Sequence, residues 1–133
     1  MAGRAGEGDV GAAALAVLAA HAALEAMVNQ LGGEMIGSFN YRARFLPKWH
    51  DVCERTIGRQ LEAAPDLERL QALRDAVVGY RGEPERLDRR STSPPPDARR
   101  TIGADEARWA IEAARRVTGE FYRAAGREVP DWV

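Results

Sequence analysis

Hydrophobic and polar positions along this chain recur with the period of α-helices. Val10, Ala14, Val17, His21, Leu24, Val28 and Leu31 follow one another at spacings of four and three, which places them on one helical face. Asp9 stands where a cap would open that helix at about residue 10, and Gly32 and Gly33 predict its end at residue 31. Residues 1–8 are glycine-rich and predict a flexible, frayed terminus. From Glu34 to Phe45 no period is clear, although Phe39, Tyr41 and Phe45 call for burial. Pro47 suits the first turn of a second helix running through KWHDVCERTIGRQL, with Trp49, Val52, Cys53 and Ile57 turned inward. Pro65 and Asp66 open a third, whose stripe is Leu67, Leu70, Arg74, Val77 and Val78, with Leu73 beside it. Gly79 and Gly82 weaken its end. A long loop over 82–103 contains SPPPDARR, where three prolines forbid helix. The last helix is expected from Asp105 to Ala125, with Ala107, Ala110, Ile111, Ala114, Val117 and Phe121 facing the core. Asp105 and Glu106 in its first turn and Arg123 and Arg127 near its end suit the helix dipole. No alternating run of strand length occurs. The prediction is an all-α antiparallel bundle of four main helices, one domain over residues 9–133.

Composition narrows the function classes. A chain of 133 residues with 45% hydrophobic and 29% charged residues is globular and holds one ordinary domain. A formal net charge of -1 provides no global field for nucleic acid or an anionic membrane. Lys48 is the only lysine; abundant arginine, alanine and glycine together suit a GC-rich genome and are not by themselves a sign of RNA binding. The single Cys53 excludes an intramolecular disulfide and is expected as a core or surface thiol. GAAALAVLAAHAA resembles a secretory signal in its apolar run, but Glu7 and Asp9 spoil the cationic flank and the helical period continues through Ala20 to Ala22. A cytoplasmic location is expected, with no transmembrane span. There is no helically spaced histidine pair, no second cysteine, no Walker loop and no GxGxxG, so neither a metal nor a cofactor is expected.

One stripe carries a charge. Arg74 lies one turn from Leu70 and one turn from Val77 and Val78, so it points at neighbouring helices. Its guanidinium stays protonated and must be paired or reach water. The first helix offers His21 in its stripe, with Glu25 and Asn29 following at four-residue steps. A Glu25–Arg74 ion pair completed by His21 or Asn29 is the structural expectation. A ligand-binding or catalytic groove built from the same residues is the functional one.

HAALEAMVNQLGG, PKW, LQALRDAVVGYRGEP, a final helix and a closing PDWV, in that order, resemble the HEPN superfamily of small α-helical proteins. The resemblance covers most of the chain and is nearest to stand-alone bacterial members. It implies an antiparallel bundle that dimerises and, in active members, a metal-independent RNase. Such members carry an arginine, a polar residue and then, four to six residues beyond that polar residue, a histidine. Histidine would move the proton of the attacking 2′-hydroxyl, and arginine would hold the phosphate charge. By that resemblance Arg74 matches the arginine, Asp75 stands where asparagine is common, and Glu25 and Asn29 match the polar positions of the first helix. The histidine does not carry over, because positions 79–81 are Gly79, Tyr80 and Arg81. Asp75 also sets a negative charge where phosphate would approach. Losing the proton-transfer group alone removes roughly 10²- to 10⁴-fold in rate. Tyr80 is a poor base at neutral pH.

The sequence therefore points to a degenerate HEPN-like domain that binds instead of cleaving. It would act as a homodimer displaying Arg74, Glu25, Asn29 and Arg81 to a partner protein, RNA or nucleotide. The alternatives are a toxin-like RNase with a rearranged site around Arg74, drawing on His21, and an interaction module in which Arg74 is only structural. Two lesser signals remain. Arg81, Arg86, Arg89, Arg90, Arg99 and Arg100 cluster without aromatics and suit a solvated loop, while Trp109, off the main stripe, suits a dimer anchor or a seat for the DWV tail. His50 and Asp51, being adjacent on a helix, point apart.

Overall fold

The computed structural model describes residues 2–82 and 102–133, with side chains over 11–79 and 102–133. Four helices follow in order: α1 (Ala2–Met35), α2 (Phe45–Thr56), α3 (Ala64–Gly82) and α4 (Ala104–Ala124), with no strand among the described residues. The chain is an all-α helical bundle, as its periodicity predicts. Its core stripe on α1 is Ala13, Val17, Ala20, Leu24, Val28 and Leu31, joined by a buried His21. Across from it lie Trp49, Val52 and Cys53 of α2, Leu67, Leu70 and Val77 of α3, and Ala110, Ala114, Val117 and Phe121 of α4.

Contacts at matching levels give the helix directions. Asp66 meets Arg116 at 2.9 Å and Arg69 covers the ring of Trp109 at 4.2 Å, so α3 lies antiparallel to α4. Met27 meets Thr118 and Glu34 meets Arg127, so α1 and α4 share one direction. By length and composition, Gly11–Met35 is apolar enough to cross a membrane, which the sequence reading did not anticipate. Its inner stripe builds the bundle core.

Several boundaries differ from the expected ones. Helix α1 opens at Ala2 instead of behind Asp9, so the backbone of residues 2–8 is helical. No proline interrupts that segment, and helix extends by one bond per residue once a turn exists. At its other end α1 passes through Gly32 and Gly33 to Met35. Gly32 serves close approach: a Cβ there would lie 2.5 Å from the Phe39 ring, which folds back onto the helix. Helix α2 stops at Thr56 instead of running on to Leu61, because Gly58 turns the chain at φ 74°. Tyr41, expected to be buried, is exposed and packs edge-on to Phe39. Val78 and Ile111 are also exposed, lying at the margins of their stripes. The long loop lies outside the described residues over 83–101, with its arginines.

Glu120 joins α4 to the start of α3. Its carboxylate accepts the backbone N–H of Glu62 (2.6 Å) and Ala63 (2.9 Å), and Arg59 sits at 3.2 Å. Burial opposes the charge, but those two N–H groups and Arg59 outweigh it and hold the carboxyl below its ordinary 4.5. The resulting stability is fully present above 4.5 and is lost as pH falls through the lower folded-state value. Thermal melts between pH 7 and pH 3 are expected to show a smaller acid loss in Glu120→Gln than in the wild type. Parallel curves would refute that linkage.

Candidate functional site

A cleft of about 510 Å³ opens where α1, α3 and the entry to α2 meet. Its walls are His21 and Glu25 from α1, Gln71, Arg74 and Asp75 from α3, and Arg44, Phe45, Leu46 and Pro47 at the start of α2. The volume falls within the range of small-ligand sites.

The floor is His21. Its ring stacks on Phe45 with centroids 4.0 Å apart, and its Nε2 lies 2.8 Å from Gln71 Oε1. It is 4% exposed, so packing and one polar contact fix the imidazole together. Gln71 extends the chain of contacts by donating from Nε2 to Asp75 Oδ1 at 2.7 Å. Arg74 Nη1 reaches the same oxygen only at 3.5 Å. With its side chain 40% exposed, Arg74 stands at the rim, between the core and water.

The expected Glu25–Arg74 pair does not form. Glu25 instead takes the ammonium of Lys48 at 3.0 Å, which also donates to Asn29 Oδ1 at 2.8 Å and to the Tyr41 carbonyl at 3.4 Å. Lys48 is 3% exposed, with its three N–H bonds matched by three acceptors. The geometric reason is position. Lys48 sits one turn after Phe45, which stacks on His21, so α2 brings its ammonium under the next turn of α1. Arg74 of α3 lines the same cleft and turns to Asp75 instead.

The structure thus brings His21, Glu25, Arg74 and Asp75 into one cleft, while Asn29 turns to Lys48 and does not line it. The side chains of Tyr80 and Arg81 lie outside the described residues. Sequence reasoning missed Lys48, Gln71 and Arg44. A signal existed for the first two. Lys48 shares a helical face with Phe45, Trp49 and Val52, and Gln71 falls between Leu67 and Arg74 on the α3 stripe. Arg44, in an aperiodic segment, had none.

Elsewhere, Cys53 is a core thiol. Burial, helped by the charge of Glu120, pushes it up to about 11, so it stays protonated at neutral pH and is no nucleophile. Trp109 faces Arg69 across α3, whereas the C-terminal Val133 packs near Gly119, so the tail does not cover that tryptophan. Among the described residues no group of three or more His, Cys, Asp or Glu could hold a metal ion. Comparison with protein-family models, curated proteins and solved structures finds no match for this chain.

Chemically the cleft offers one rim guanidinium, a second arginine at the mouth of α2, and two carboxylates already engaged by Lys48 and Gln71. Such a set can hold a ligand by charge-assisted hydrogen bonds. Cleavage would need a group that moves a proton beside Arg74, and the one imidazole in the cleft is the buried His21.

Proposed function

We propose that this chain is a HEPN-like helical domain that works in the cytoplasm as a dimeric binding or regulatory module, without ribonuclease activity. Its ligand, a partner-protein segment, RNA or nucleotide, would enter the cleft beside Arg74. One observation carries this reading: the Arg74 side chain lines the cleft 40% exposed, with only a 3.5 Å contact to Asp75 among the described residues. A purely structural arginine would be buried against α1, and Glu25 is instead paired with Lys48. The missing histidine at 79–81 supports binding over cleavage.

A second reading is a toxin-like metal-independent RNase, favoured by His21, Glu25 and Arg74 lining the same cleft. The Gln71 contact of His21 weighs against it, since it occupies one ring nitrogen.

Mixed-sequence RNA incubated with the purified protein in EDTA is expected to remain intact. A short single-stranded RNA and a nucleoside monophosphate titrated against the protein test capture, which Arg74→Ala should weaken. Light scattering should give the mass of two chains. RNA cleavage that disappears in a folded Arg74→Ala variant would establish the nuclease instead.

A further inference from the structure

The contacts His21–Gln71–Asp75–Arg74 form one continuous path from the buried floor of the cleft to its rim. Its direction follows from chemistry alone. An ionised carboxylate only accepts, so the Gln71 atom 2.7 Å from Asp75 Oδ1 is the amide nitrogen. The amide oxygen then faces His21, and at 2.8 Å it requires a proton on Nε2. The neutral ring therefore keeps Nδ1 as its acceptor. At the other end one carboxylate oxygen serves two donors, Gln71 at 2.7 Å and Arg74 at 3.5 Å. The shorter contact belongs to the amide.

We infer that Gln71 is the positioning residue of the cleft: it sets the tautomer of His21 and restrains the Asp75 carboxylate from closing on Arg74. Without it, Asp75 would turn to the guanidinium and form a full ion pair, removing the rim charge that a ligand would meet. Gln71 thereby offsets the acidic neighbour that the sequence places directly after Arg74. Its functional consequence rests on the binding reading above; the positioning itself does not.

Two measurements on the intact protein test the positioning without a ligand. Nitrogen-15 NMR of the imidazole at a pH where it is neutral should report the proton of His21 on Nε2. Peptide mass spectrometry after brief phenylglyoxal treatment should report how open Arg74 is. Gln71→Leu is expected to slow Arg74 modification by about two- to five-fold, the range an exposed ion pair commands. Gln71→Glu should slow it likewise by repelling Asp75, while still accepting from His21. Adding Asp75→Asn to Gln71→Leu should restore the wild-type rate, which a merely structural role for Gln71 would not produce. A neutral His21 protonated on Nδ1 overturns the inference. So does an Arg74 rate unchanged in both Gln71→Leu and Gln71→Glu. Inorganic phosphate titrated against the wild type and Gln71→Leu separates the two claims. If phosphate is not bound while tautomer and reactivity behave as stated, the positioning stands and binding of such anions fails.

Discussion

Lys48→Met is expected to lower the free energy of unfolding by about 2–3 kcal/mol, read as a shift of the denaturant midpoint at constant slope. Methionine keeps most of the buried length but removes the charge that Glu25, Asn29 and the Tyr41 carbonyl all meet. Breaking a fully buried pair costs more, roughly 3–5 kcal/mol, but Glu25 is 38% exposed and can turn to water. Removing both partners separates the charge from the packing. In Lys48→Met with Glu25→Leu no charge is stranded, so the double variant should lose less than the sum of the singles by about 1–2 kcal/mol. Strict additivity would show that the pair is energetically idle and that Lys48 acts only by filling space. Loss of this residue should also disturb the cleft, because Lys48 holds the α1 turn that carries Glu25.

Phe121→Ala is expected to do more, about 3–5 kcal/mol, a large part of the stability of a domain this size. The ring is 0% exposed and stands edge-on to Trp49, with centroids 5.9 Å apart and planes at 81°. Beyond its buried area, that aromatic pairing contributes roughly 0.5–1.5 kcal/mol. The substitution leaves a cavity where α2 meets α4, and the fixed helices can refill only part of it. Phe121→Leu should lose much less. If alanine and leucine proved equally mild in chemical denaturation, α4 would not be anchored through this ring.

What the sequence disclosed follows from period, and what it hid follows from partners. A stripe at spacings of three and four is a property of one helix, so the buried faces of α1 and α4 were legible from Val17 to Leu31 and from Ala110 to Phe121. Pairing depends on two helices meeting at particular levels. His21, Glu25 and Arg74 were rightly placed near one another, yet which cation would take Glu25 was not readable from either helix alone. The lysine that does so follows a proline and shares its helical face with Phe45, Trp49 and Val52, which shows that it turns inward but not what it meets. Its burial is decided by the chain that folds back from Met35, where Phe39 settles on Gly32 and the Tyr41 carbonyl arrives above the ammonium. Glycines 32 and 33 misled for a related reason. Their value here is the absence of a side chain beneath a ring, a tertiary fact, while local rules read them as a stop signal.

The sequestered ammonium at position 48 has one more consequence. Since every other basic side chain except the two histidines is a guanidinium, the folded molecule offers no primary amine from a side chain to the solvent. Acylation or isopeptide conjugation at lysine would have to wait until α2 lifts away from α1, and so would report that opening.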